Sequence, residues 1–197
     1  MIFPKELKQE WIELLEIPAH LQLVHTAEEI RNKEKVKIFR FQKEEPYKLG
    51  IPHITFIISA KDGHLLSYVN RMLPLPNQKI GEQKALEKAE DILKKINKSY
   101  FIDLSFIRID KLPRLFINAQ GEGEKHMIYW VKFSHSNGSY NWVGLSTDGS
   151  VENYEIESRW DYFRMRRKTE MWDHDGWVKA RLGQGPELER PNALARD

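Results

Sequence analysis

Between Met127 and Glu157 the chain alternates apolar and polar positions in three short runs separated by turn residues. Met127-Ile-Tyr-Trp-Val-Lys-Phe133, Tyr140-Asn-Trp-Val-Gly-Leu145 and Val151-Glu-Asn-Tyr-Glu-Ile156 are rich in aromatic and β-branched residues. A period of two places successive side chains on opposite faces of a strand. Asn137-Gly138 and Asp148-Gly149 stand between the runs, and such pairs tolerate the positive φ angles of tight hairpin turns. The pattern predicts three consecutive antiparallel strands.

Upstream, Leu7, Trp11, Leu14 and Leu15 recur at helical spacing, predicting a helix over 4–16 that Pro4 opens and Pro18 stops. Leu21–Val24 reads as a short edge strand, and the charged residues 26–35 as a solvated loop or one helical turn. Val36–Gln42 alternates as a strand, and 44–52 is a loop. His53–Ser59 and His64–Met72 form a hairpin about Lys61-Asp62-Gly63, and Pro74-Leu-Pro76-Asn77 marks a junction. The clearest helix is Ile80–Ile96: Ile80, Ala85, Leu86, Ala89, Leu93 and Ile96 share one face, and Glu87, Lys88, Glu90, Asp91, Lys94 and Lys95 cover the other. Phe101–Ile109 and Leu115–Ala119 read as two strands on either side of Pro113, with a flexible turn at 120–125. Residues 161–180 read as wholly or partly helical, with Trp160, Phe163 and Trp177 available to dock on the sheet. Residues 184–197, with Pro186 and Pro191, read as a poorly ordered tail.

The halves repeat one order: helix, strands, Asp-Gly turn, strand. Lys37-Ile-Phe-Arg-Phe41 aligns with Tyr129-Trp-Val-Lys-Phe133, and the segment from Ser59 to Tyr68 with that from Leu145 to Tyr154. The offset of about 86 to 92 residues is too long for a solenoid repeat. It predicts two copies of one α+β unit, each too small for a large core alone.

Trp11-Ile-Glu-Leu-Leu-Glu-Ile-Pro18, Ile38-Phe-Arg-Phe41 and Ile57-Ile-Ser-Ala-Lys-Asp-Gly-His-Leu-Leu-Ser67 resemble the PepSY-like repeats of the YcdB/YcdC type. In those repeats a helix precedes a strand pair joined by a turn, and Asp62-Gly63 and Asp148-Gly149 stand at the two matching turns. The resemblance covers roughly residues 5–70 and 80–157. It implies a cystatin-like arrangement, a helix laid across an antiparallel sheet, and a binding or inhibitory role often linked to peptidases. The expected fold is α+β: two tandem cystatin-like units over 1–76 and 77–160, followed by a helical extension and flexible tail over 161–197.

Composition narrows the chemistry. Lys and Arg number 31 against 29 Asp and Glu, a net charge of +2 that argues for neither a nucleic-acid nor a membrane partner. There is no cysteine, which excludes disulfides, thiolate metal sites and cysteine nucleophiles. No apolar run approaches the roughly 20 residues of a membrane helix. The N-terminus lacks the apolar core of a signal peptide, so the expected location is cytoplasmic, or extracytoplasmic if a leader has been removed.

Two candidate sites stand out. Trp130, Tyr140 and Trp142, with Tyr129 and Tyr154, offer rings for stacking a ligand, or simply for packing the sheet. Trp172-Asp173-His174-Asp175-Gly176-Trp177 holds the metal or acid–base candidates Asp173, His174 and Asp175. Consecutive helical residues point about 100° apart, so the three cannot converge, and a turn or helix cap is favoured. Arg164–Lys168 is a basic run beside acids, read as a paired face. His53 and His64 flank the first Asp-Gly hairpin, where registry could bring them together. The function expected is a non-catalytic binding or inhibitory module for a protein or peptide, with no cofactor. The alternatives are a small metal-dependent hydrolase using the Asp173-His174-Asp175 string and an oligomeric structural subunit. The oligomeric state stays open.

Overall fold

A computed structural model describes residues 3–72, 79–117 and 122–196. The first half holds α1 (Gln9–Leu14) and strands β1 (Gln22–Arg31), β2 (Glu34–Gln42), β3 (Ile54–Ser59) and β4 (Leu65–Asn70). The second holds α2 (Glu82–Ile96), α3 (Lys98–Phe101), β5 (Leu104–Ile117), β6 (Gly123–His135), β7 (Tyr140–Ser146) and β8 (Val151–Ser158). A C-terminal segment adds β9 (Trp160–Asp161), β10 (Arg166–Arg167) and α4 (Asp175–Arg181).

The first eight strands form one antiparallel sheet in the order β1-β2-β3-β4-β8-β7-β6-β5. Each half is a meander of four neighbours, and the halves meet where the last strand of each pairs with the other: Ser67↔Glu155, Tyr68↔Tyr154 and Val69↔Asn153. The strands expected over 127–157 are β6, β7 and β8, paired in sequence. Gly63, Gly138 and Gly149 sit at φ 71°, 81° and 92°, the left-handed region that their hairpins require.

Both long apolar stripes land on the same sheet face. Trp11 and Ile12 of α1, and Ala85, Ala89, Ile92, Leu93 and Ile96 of α2, are buried there. They pack on Phe41, Phe56, Tyr68, Val131, Phe133, Val143, Leu145 and Tyr154. This is the inner face. The start of α2 is pinned by Ile80 N donating to Thr147 O and by the Tyr129 hydroxyl donating to Ile80 O at 2.8 Å. On the outer face Val36, Ile38 and Ile57 pack against Trp172 of the C-terminal segment.

Several expectations are corrected. Residues 26–31 belong to β1, and Asn32 and Lys33 (φ 52° and 69°) make the two-residue turn into β2. Their charge suggests a loop, but β1 is an outer strand whose exposed positions accept charge. Residues 104–117 form the single strand β5 rather than two, because Pro113 lies on the other rim of the sheet, where a missing N–H is tolerated. Residues 118–121 lie outside the described residues, as does the junction at Pro74–Asn77. Between 161 and 180 only α4 is helical, and 160–167 forms a hairpin. The expected loose tail packs instead: Ala193 and Ala195 are buried with Met171 and Trp177, and Trp177 Nε1 donates to Leu194 O at 3.0 Å.

Candidate functional site

Strand register assembles the outer face. One row runs Lys132↔Trp142↔Glu155↔Ser67↔Ile57↔Ile38 across six strands, and a parallel row runs Trp130↔Gly144↔Asn153↔Val69. The C-terminal segment covers the first-half end of these rows. Three buried or half-buried polar anchors hold it there. Arg167 pairs with Glu155, which also accepts from Arg31 at 3.1 Å. Asp173 accepts from the Ser67 hydroxyl at 2.6 Å. Asp175 accepts from Arg40 Nη2 at 2.9 Å and from the Gly50 N–H. Asn32, at the β1–β2 turn, adds a fourth tie: its N–H donates to Glu170 and its side chain accepts from the Thr169 hydroxyl.

Asp173, His174 and Asp175 therefore diverge to three places. Asp173 reaches β4, Asp175 reaches β2 and the loop after it, and the His174 ring caps α4 by accepting from Trp177 N at 3.2 Å. Burial pushes the Asp173 and Asp175 carboxyls up, but their neighbours outweigh it and both end below the ordinary aspartate value. Those neighbours are Arg167 and Ser67 for Asp173, and Arg40 and His53 for Asp175. Burial and Arg71 lower His174. His53, 3.8 Å from Asp175, is driven down to about 4 by burial and Arg40. His64 lies at the other end of the β3–β4 hairpin, opposite Ser59, so registry separates the two histidines. No group of three or more His, Cys, Asp or Glu among the described residues is arranged to hold a metal ion. The string is a turn and a cap. Replacing His174 with Ala is expected to lower stability by about 1 kcal/mol, the usual worth of an N-cap, and to leave the melting temperature insensitive to added zinc. Zinc-dependent stabilisation of the wild type that H174A abolishes would reverse this assignment.

The rows continue past the C-terminal segment onto β6 and β7, where the aromatic candidates meet. Trp130 and Trp142 pack edge to face with centroids 5.4 Å apart at 76°. Lys132 Nζ stands 3.8 Å from the Trp130 ring centroid, and the guanidinium groups of Arg114 and Arg167 each lie 5.7 Å from a Trp ring. A cation over a ring face is attracted by the ring quadrupole. Burial and Arg108 hold the Lys132 ammonium below its usual value. Tyr140 is half-buried beside this aromatic shelf of Trp130 and Trp142, and its hydroxyl hydrogen-bonds that of Tyr162. Lys132 was legible as a neighbour of Trp130, since residues two apart on a strand share a face. Arg114 comes from β5, Tyr162 from the β9–β10 turn and Arg167 from β10; Arg167 stands in the basic run Arg164–Lys168, but nothing in that run ties it to the tryptophans.

A second feature lies at the inner face. A cavity of about 190 Å³ is bordered by Leu14, Leu15, Pro18, Met72, Val151 and Glu152. Glu152 is buried, and neither carboxylate oxygen has a hydrogen-bond partner.

No curated protein matches the chain, and no solved structure matches it. A family model described as the YcdB, YcdC repeated domain matches residues 4–138, spanning the first meander and reaching the β6–β7 turn. That match covers more than half of the chain; it takes in the whole first half of the repeat and stops before the Asp148-Gly149 turn of the second. The chain therefore belongs to the YcdB, YcdC repeated-domain family.

Proposed function

We propose that the chain is a non-catalytic binding module built from two PepSY-like, cystatin-like units, and that it holds a protein or peptide segment on the outer face of β6 and β7. The observation that supports this reading is the partly exposed, edge-to-face Trp130–Trp142 pair on β6 and β7, beside the C-terminal segment. Aromatic rings backed by a rigid sheet supply contact area with little ordering cost, which is why Trp and Tyr dominate binding hot spots. Lys132 and Arg114 beside the rings favour a segment that carries acidic and aromatic side chains together. An inhibitory role toward a peptidase is the form this binding would take by likeness to the repeats it resembles.

The test is titration of the purified chain with acidic–aromatic and neutral peptides, read by fluorescence anisotropy. Trp130→Ala and Trp142→Ala are each expected to weaken binding by about tenfold or more, as hot-spot truncations do. Neither substitution should change the far-ultraviolet circular dichroism. Turnover of a small substrate, with no peptide retained, would reject the reading.

A further inference from the structure

The β9–β10 hairpin ends in an apolar tip that the rest of the fold leaves uncovered. Tyr162 and Met165 are 69% and 62% exposed, and Phe163 is fully so. Single exposed apolar residues are ordinary, but three large ones within four positions make a patch. The tip is also built. Met165 N donates to Tyr162 O, Arg164 N donates to Asp161 Oδ1, and the Tyr162 hydroxyl is tied to Tyr140. Its base is fastened by Arg167 to Glu155, by Arg166 to Leu188 O and by Lys168 N to Arg159 O.

Cations outnumber acids along this hairpin. Between Arg159 and Lys168 stand Arg159, Arg164, Arg166, Arg167 and Lys168 against the single acid Asp161. Arg164 and Arg167 meet carboxylates, while Arg159 and Lys168 are exposed. The expectation of no membrane partner rested on the overall balance of +2, and that balance conceals the local segregation.

We propose that the tip docks the chain on an anionic bilayer surface, with Tyr162, Phe163 and Met165 entering the headgroup boundary and the exposed Arg159, Arg164 and Lys168 meeting lipid phosphates. Apolar side chains beside basic ones bind such surfaces by adding buried apolar area to electrostatic attraction. A fluid bilayer needs no matching concavity, which suits three side chains fanning from a four-residue turn. No helix among the described residues is long and apolar enough to cross a membrane, and the proposed contact is peripheral. It does not depend on what the Trp130–Trp142 shelf binds.

The full chain is floated with phosphatidylcholine vesicles and with vesicles that also contain phosphatidylglycerol. Flotation is expected only with the anionic vesicles, and high salt should reverse it. Phe163→Ser is expected to weaken the association by about tenfold, since burial of a large apolar side chain is lost. Lys168→Glu should weaken it as well. The absence of cysteine makes Met165→Cys a unique attachment point for an environment-sensitive dye. Its emission should shift to the blue on anionic vesicles. Full exposure of Phe163 means that F163S keeps the fold, which circular dichroism checks. Equal binding by F163S, an unmoved dye spectrum or no flotation overturns the proposal. The last result would assign the tip to a protein partner.

Discussion

Replacing Glu155 with Ala is expected to cost about 3–5 kcal/mol of folding stability, the scale for breaking a buried ion pair from one side. The Glu155 side chain is 4% exposed and lies between Arg31, at 1%, and Arg167. Burial pushes its carboxyl up, against the pull of Arg167 and Arg31. Taking the carboxylate away leaves Arg31 buried opposite nothing but the Ile156 carbonyl, to which it donates at 2.7 Å. Arg167 keeps its bonds to the Thr169 and Glu170 carbonyls but loses its tie to β8. The C-terminal segment should loosen with it. Urea denaturation followed by tryptophan fluorescence gives the midpoint, and hydrogen exchange over 160–196 gives the local loosening. Joint replacement of Arg31, Glu155 and Arg167 by apolar residues of similar volume should restore much of the loss, because three charges then no longer need hydration. A Glu155→Ala midpoint equal to wild type would mean that water reaches both guanidinium groups, and the segment would not seal the outer face.

Glu152→Gln should stabilise the protein, by an amount that grows with pH. Burial raises the Glu152 carboxyl to about 8, although Arg71 and Arg114 pull the other way. Below the ordinary glutamate value of 4.5 the group carries its proton whether the chain is folded or not. As pH rises, the unfolded chain ionises first while the folded chain keeps its proton. Stability is therefore lost from about pH 4.5 until the folded group titrates near 8, and then levels off. Each unit of difference is worth about 1.4 kcal/mol, so the gain from glutamine should reach a few kcal/mol by pH 8. Asp173 and Asp175 act in the opposite sense, losing stability in acid below the ordinary aspartate range, as do the depressed histidines His53 and His174 below theirs. All four are common to both proteins and cancel in the difference. Urea midpoints of wild type and E152Q from pH 5 to 8 test this, and a constant difference would show that Glu152 is hydrated.

Much of the sheet was legible because its central strands alternate on a period of two and turn on Asn-Gly and Asp-Gly. The helix α2 was legible because its stripe from Ala85 to Ile96 is buried along its whole length. The rims were not. On β1, Glu28 and Glu29 occupy a strand with one free edge, and on β5 Pro113 interrupts a pattern that the backbone does not interrupt. The basic run Arg164–Lys168 resembled a helical face, but Met165 adopts φ 53° and turns a hairpin. At the candidate site, Trp130, Tyr140 and Trp142 were readable as residues of one face. Which part of that face stays open was not readable. That is decided by Ser67 with Asp173, Arg40 with Asp175 and Asn32 with Glu170, pairs that are remote in the chain and have no periodic signature.

The seam between β4 and β8 also governs how the molecule behaves when cut. It uses up one border of each meander, so the eight-stranded sheet of the described residues has two free edges, β1, guarded by acids, and β5, interrupted by a proline. A half released by proteolysis would bare Tyr68 and Val69, or Asn153 and Tyr154, along a strand with unmet hydrogen-bonding groups. Such ribbons adhere to one another, so the intact length of the chain is itself a safeguard against clumping.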